Sequence, residues 1–234
     1  INKNKNFRLI GMGGATLGAE AIYQFLNHKI KKKFIFINNL NSKLNNYEKK
    51  IKATNIIISK SGNTLETIVN SNALVNGSKN IFITENKKNY LRNLANDLKA
   101  EIVEHKNYIG GRYSVLSEVG MLPAEIMGLN EKKFKRLNYL INNKNFLNEL
   151  IKNVSAILKF VKEKKFNSII LNYDSKSENL FKWYQQLVAE SLGKKSKGIL
   201  PLISTMPSDN HSLLQLYLDG PKNNFFTFFS TQDT

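Results

Sequence analysis

The segment Ser59-Lys60-Ser61-Gly62-Asn63-Thr64-Leu65-Glu66-Thr67 puts four hydroxyls, one lysine and one glycine into nine positions, directly after a short apolar run. Capping a helix takes one side-chain acceptor, and Asn63 with Glu66 three residues on already has capping-box spacing. The hydroxyls of Ser59, Ser61, Thr64 and Thr67, with free backbone N–H groups and the positive end of a helix dipole, suit a phosphate monoester. The order is not the GxxxxGK[ST] of a nucleotide-binding loop. An earlier segment, Gly11-Met12-Gly13-Gly14-Ala15-Thr16-Leu17-Gly18, has glycines that permit either a tight packed turn or close approach to an anion. Thr16 stands where the third glycine of GxGxxG would fall, so the dinucleotide spacing is absent. In Gly110-Gly111-Arg112-Tyr113-Ser114 an arginine follows two glycines on flexible backbone, at a strand end of the kind where open α/β folds bind ligands. Further along, Gln186 and Glu190 lie four apart at the edge of an apolar helical arc made by Leu180, Tyr184, Leu187, Val188 and Ser191. A glutamate partly desolvated at such an edge suits general-base work. His211 follows Pro207-Ser208-Asp209-Asn210, where Asp209 or Asn210 is placed to cap a helical stretch from Ser212 to Leu218. His28 beside the basic run Lys29 to Lys33 reads as solvated, and His105 as part of a charged loop, neither with a partner suggested by spacing.

Such residues need strand ends and helix starts to hold them. Short runs rich in Ile, Phe and Val (Phe7–Ile10, Phe34–Ile37, Asn55–Ile58, Asn80–Ile83 and Glu101–Val103) alternate with helix-period stretches at Leu17–Leu26, Leu65–Val75 and Leu91–Leu98. That alternation predicts βαβ units, an α/β fold with a parallel sheet and helices on both faces. Residues 114–165 carry no strand signal; helices are expected over Leu116–Met127 with an interruption at Pro123, over Lys132–Ile141 and over Phe146–Val161. A second α/β pattern follows, with strands at Ser168–Leu171, Ile199–Ile203 and Phe225–Phe229 and a long helix over Glu178–Leu192. The expected organisation is a first domain over 1–130, a helical connection over 131–165 and a partial second domain over 166–234.

Composition narrows the chemistry. The 234 residues include no cysteine, which excludes thiolate metal sites, disulfides and cysteine nucleophiles, and the three histidines lack a metal-ligand spacing such as HExxH. No metal or cofactor is expected. The net charge of +17 invites a polyanion reading, but 31 of the 35 basic residues are lysine, scattered among 33 asparagines without interleaved aromatics. Lysine, asparagine and isoleucine rise together under A- and T-rich codon usage, so neither nucleic acid nor membrane is expected as a partner. No run approaches the ~18 apolar residues of a membrane span. The chain opens on Ile1 rather than Met, which reads as a segment of a longer protein.

Taken in order, GMGGATLG, SKSGNTLET, YIGGRYSVLSEVG, QQLVAESLGK and HSLLQLYLDG resemble the phosphoglucose isomerase family over nearly the whole chain. The resemblance implies two sugar-isomerase (SIS-type) domains, the second incomplete here. It implies interconversion of glucose 6-phosphate and fructose 6-phosphate through a cis-enediol, in a cytoplasmic homodimer with a shared active site and no cofactor. Glu190 in AESLGK matches the family's catalytic glutamate, Arg112 the arginine that stabilises the enediolate, and His211 the ring-opening histidine contributed by the neighbouring subunit. Gln186 matches a substrate-contacting glutamine, Gly14 and Ala15 the first substrate loop, and Ser59, Lys60, Ser61, Thr64 and Thr67 the phosphate loop. Ala15 stands where serine is usual and Asn63 where threonine is common; the C-terminal QxGVExxK segment with its lysine is not found. The alternatives are a related sugar-phosphate isomerase, such as a phosphoglucose/phosphomannose isomerase, or a non-catalytic sugar-phosphate-binding domain.

Overall fold

The computed structural model describes residues 5–40, 51–75 and 77–232. The chain divides into two compact units, Ile1–Glu131 and Lys132–Thr234. In the first, β-branched and aromatic runs form five strands, a composition that packs well on a pleated surface. They are β1 (Asn6–Ile10), β2 (Lys33–Ile37), β3 (Thr54–Ile58), β4 (Lys79–Glu85) and β5 (Glu101–His105), all parallel, in the order β2-β1-β3-β4-β5. Chain direction across the sheet reverses at β1. Right-handed crossovers therefore place helix α1 (Leu17–Phe25) on one face and α2 (Leu65–Leu74) and α3 (Tyr90–Asp97) on the other. Ile10, Ile57 and Phe82 are wholly buried and share a core cluster with Leu74, Leu91 and Ala95.

A polar ladder crosses the same sheet. Arg8, Asn55 and Asn80 lie in register on β1, β3 and β4. Arg8 Nη1 donates to Asn55 Oδ1 at 3.2 Å, and Asn55 Nδ2 donates to Asn80 Oδ1 at 2.8 Å. A one-residue slip would turn these groups to the opposite face and leave buried polar atoms unpaired, so the ladder fixes strand register.

Two helix expectations need correction. Helix α4 (Glu118–Ile126) runs through Pro123 instead of stopping there. The proline forgoes one i→i−4 bond, but burial of Val119, Met121, Ala124 and Ile126 around it holds the helix. The stretch Lys132–Ile141 is two short turns, α5 (Glu131–Phe134) and α6 (Asn138–Ile141), neither with a buried residue. Lys132, Lys133, Lys135 and Arg136 crowd like charges at helical spacings, and the apolar residues between them find no burial within these turns.

The second unit contains α7 (Lys144–Lys162), β6 (Asn167–Asn172), α8 (Glu178–Leu192), β7 (Leu200–Thr205), α9 (Leu214–Asp219) and β8 (Asn224–Phe229). Its sheet is parallel in the order β7-β6-β8. Ile169, Leu171 and Met206 form its core, with Phe160 stacked on Phe225 at 5.1 Å and Phe181 edge-on to Phe229 at 4.8 Å. Among the described residues, no helix is long and apolar enough to cross a membrane.

Candidate active site

The turns leaving β1 and β3 lie side by side at the C-terminal edge of the first sheet, where strand order reverses. Open α/β sheets bind ligands at such a switch point. After β3, Ser59 is buried and its Oγ lies 2.9 Å from Thr64 Oγ1. Gly62 N also donates to Ser59 Oγ at 3.2 Å. Gly62 itself has φ +66°, and a Cβ there would fall 2.0 Å from Asn89 Oδ1, so both conformation and space require glycine. Asn89 in turn caps α3, accepting from Arg92 N at 2.8 Å.

Thr64 is the residue before α2, yet its side chain makes no cap bond and faces Ser59 instead. The first N–H groups of α2 lack intrahelical acceptors by helix geometry. Thr67 lies three residues on, on the same helix face, fully buried and with Oγ1 lacking a partner among the described residues. Ser59 and Thr64 thus meet at the start of α2, with Thr67 in its first turn. Ser61 does not join them: it is exposed, and its Oγ accepts from Asn63 N at 3.2 Å. The expected Asn63–Glu66 capping box is also absent, because Asn63 Oδ1 accepts from Tyr90 N at the start of α3, 3.0 Å away.

Lys60 points elsewhere. Its Nζ donates to the carbonyls of Asn107 at 2.7 Å and Ile109 at 2.9 Å, and lies 3.5 Å from Glu85 Oε1. Lys87 Nζ is 3.2 Å from the other Glu85 oxygen. Burial raises the Glu85 pKa, but hydrogen bonds and charge from Lys87 and Lys60 outweigh it, leaving the carboxyl below its usual value.

Arg112 is less loosely held than its two preceding glycines suggest. Gly111–Leu116 is a 3₁₀ turn, with the Arg112 guanidinium 4.6 Å from the Tyr113 ring centroid. Ser114 Oγ donates to Gly111 O at 2.6 Å, and Gly14 packs so tightly that a Cβ would fall 2.3 Å from Gly111 O. Gly14 therefore joins the first turn to the arginine turn through backbone contact. Ala15 lies in the adjoining 3₁₀ turn, Gly13–Ala15.

The charged-loop reading of His105 is overturned. His105 ends β5, is buried, and its Nδ1 makes a short contact with Glu118 Oε1 at the start of α4. Its Nε2 is buried without a partner among the described residues. The strand continues two residues beyond the apolar run because Thr84 and Glu85 of β4 pair with Glu104 and His105. Between the ends of β4 and β5 lies a cavity of about 280 Å³ lined by Glu85, Lys87, Glu104, His105 and Lys106 among others.

In the second unit, α8 is seated on β7, where Gln185 Nε2 donates to Pro201 O at 3.0 Å. Gln186 Nε2 donates to Glu190 Oε2 at 3.2 Å, as their shared helix edge predicts. Gln186 Oε1 is buried with no donor among the described residues. Glu190 is exposed, not partly desolvated, because the last turn of α8 runs into the exposed stretch 192–197. His211 is exposed at the end of a 3₁₀ turn, Ser208–His211. Asp209 braces that turn, accepting from Thr205 N and Ser204 Oγ, both at 2.8 Å. Neither Asp209 nor Asn210 caps a helix: α9 starts later, after Leu213, with no side-chain cap. No cluster of three or more metal-ligating side chains occurs among the described residues.

Comparison with known proteins follows this geometry. A family model described as phosphoglucose isomerase matches residues 3–200. The chain is 34% identical over 244 residues to a glucose-6-phosphate isomerase of Methanocaldococcus jannaschii, covering 97% of this chain and 60% of that protein. The chain thus spans about 60% of the length of such a curated relative. A crystal structure of a hypothetical protein from Thermus thermophilus superposes with a TM-score of 0.76 at 24% identity, over 96% of this chain and 59% of the other. The C-terminal domain of glucosamine-fructose-6-phosphate aminotransferase from Francisella tularensis gives 0.65 at 13% identity, over 99% and 66%. Both show the fold, parallel sheets flanked by helices.

Proposed function

The chain belongs to the phosphoglucose isomerase family, and on that premise we propose that it carries the sugar-phosphate site of an aldose–ketose isomerase acting on glucose 6-phosphate and fructose 6-phosphate. The observation that carries the reading is the meeting of the Ser59 and Thr64 hydroxyls, 2.9 Å apart, at the start of α2, in whose first turn the buried Thr67 hydroxyl has no partner among the described residues. Three hydroxyls beside free helix N–H groups bind a phosphate monoester without a lysine ligand.

The rest of the chemistry is assigned as follows. Glu190 takes the proton from C2 of the open-chain aldose; the C2–H electrons form the C1–C2 double bond of the cis-enediol as O1 is protonated. The same carboxyl returns a proton to C1 while O2 loses its proton to become the ketone. Arg112 stabilises the developing enediolate. His211 donates to the ring oxygen during opening, and Gln186, whose Nε2 already meets Glu190, orients base and substrate. Gly14 and Ala15 border the sugar, with Ala15 offering no hydroxyl. Residues 1–130 form one sugar-isomerase domain and 166–234 part of a second, joined through 131–165. A cytoplasmic homodimer sharing His211 across subunits completes the reading.

The test is solvent exchange at C2 of the aldose and C1 of the ketose. With fructose 6-phosphate or glucose 6-phosphate in deuterated buffer, wild-type protein should wash label into the substrate and Glu190→Gln should not, while inorganic phosphate still binds both. Exchange at the wild-type rate in the Gln variant would remove Glu190 from the role of base.

A further inference from the structure

The side chain of Lys60 belongs to the phosphate loop by sequence but to the arginine turn by contact. All of its polar contacts lie toward residues 107–109 and Glu85: two backbone carbonyls at 2.7 and 2.9 Å and one carboxylate at 3.5 Å. An ammonium has three donors, and these three acceptors engage all of them. Its backbone is tied as well, because Lys60 O accepts from Glu85 N at 3.1 Å and from Thr84 Oγ1 at 3.3 Å. The residue is therefore held to β4 by its main chain and to the segment after β5 by its side chain.

That segment carries Arg112. Residues 106–117 leave β5 at His105 and return at Glu118, and the His105 Nδ1–Glu118 Oε1 contact closes the loop at its base. Lys60 grips the ascending limb, Ser114 Oγ grips Gly111 O, and Gly14 supports Gly111 from below. Of these restraints, only Lys60 comes from the loop that presents Ser59 and Thr64.

We propose that Lys60 is a positioning residue rather than a phosphate ligand, one that fixes the Arg112 turn to the phosphate loop so that anchoring the phosphate and stabilising the enediolate share one rigid body. The role of Arg112 rests on the function proposed above; the tether does not.

The experiment compares wild type, Lys60→Met and Lys60→Arg by three measurements. Methionine keeps an unbranched apolar stem and removes every donor; arginine retains donors for two carbonyls. Amide hydrogen exchange across 107–113 should quicken about tenfold or more in Lys60→Met, the scale of losing charge-assisted bonds to two carbonyls. It should return toward wild type in Lys60→Arg. Inorganic phosphate affinity should stay within about twofold. In isomerisation assays kcat should fall about tenfold or more with KM within about threefold, since a displaced Arg112 weakens the transition state and not the ground state. Unchanged exchange in Lys60→Met overturns the tether. So does a phosphate Kd raised about tenfold, which would make Lys60 a ligand. If wild type neither binds phosphate nor isomerises, the proposed function fails, and faster exchange in Lys60→Met still upholds the tether.

Discussion

The two sheets hold their candidate site residues by different means. In the first unit three of them sit in braced turns: Ser59 is held by Gly62 and Thr64, Lys60 by two carbonyls, and the turn that carries Arg112 by Ser114 and Gly14 at Gly111. Behind those turns β3 is buried along its whole length. In the second unit Glu190 and Gln186 share one hydrogen bond on the last turns of a helix, and His211 stands exposed on a 3₁₀ turn. The strands flanking β6 leave apolar groups in solvent, with Leu200 54% and Phe228 72% exposed. Binding an anion needs donors fixed in advance, because each immobilised rotor otherwise costs affinity. Moving a proton needs a carboxylate that exchanges protons and reaches two carbons. The contrast in bracing fits the division of labour proposed above.

The sharpest break of the comparison is kinetic. Glu190→Gln keeps the hydrogen bond to Gln186 and removes the proposed base, so on that proposal proton transfer should fall by about 10²–10⁴ while phosphate binding is retained. Loss of both together would make Glu190 a structural residue and dissolve the division between units. Stability gives the next contrast. Phe82→Ala on fully buried β4 should cost about 3–5 kcal/mol. Phe228→Ala on exposed β8 should stay within about 0.5 kcal/mol. Urea unfolding that found equal costs would show that Phe228 is covered in solution.

The same contrast explains what could be read from sequence. Strand positions and α8 follow from apolar spacing, a local property; the expected and observed limits of α8, Glu178–Leu192, coincide. Hydroxyl density marks the segment where Ser59 meets Thr64, but it does not show that Ser61 binds Asn63 N instead. What was not legible depends on contacts between distant segments. Asn63 has perfect local spacing for a capping box, yet Tyr90 N, 27 residues away, takes its oxygen. His105 reads as part of a charged loop beside Glu104 and Lys106 until β4 and Glu118 enclose it. Lys60 reads as a phosphate ligand because its neighbours do, and only the path of residues 107–109 shows where its charge goes. Pro123 breaks a helix by local rule, but its buried neighbours keep α4 intact.

Within the first unit the comparison sharpens at Thr64. Thr64→Ala removes the hydroxyl facing Ser59 and leaves the backbone N–H groups of α2 in place. One charge-assisted bond is worth about 1.5–3 kcal/mol, so phosphate Kd and the KM for sugar phosphate should rise about tenfold or more. Because Lys60 still holds the arginine turn, kcat should move much less. Equal falls in kcat and kcat/KM would place Thr64 in the transition state instead.

The smallest effect concerns pH. Glu85 is buried, which raises its pKa, but Lys87 at 3.2 Å and Lys60 at 3.5 Å more than reverse this, so the folded value lies below the ordinary 4.5. A carboxyl whose pKa is lower folded than unfolded binds fewer protons in the native state, so stability rises with pH through that interval. The contribution is therefore complete above about pH 4.5 and is lost as pH falls from there through the folded value. Glu85→Gln should lower the unfolding free energy of the first unit by less than about 1 kcal/mol near neutrality, the scale of ion pairs that keep some solvent contact. The difference from wild type should shrink toward zero in acid. Lys60→Met should reproduce part of that loss, since Lys87 remains. Urea titrations at several pH values decide it. A Glu85→Gln deficit that stays constant down to about pH 3 would mean that Glu85 acts through packing rather than charge, and the Lys60–Glu85 pair would then contribute orientation only.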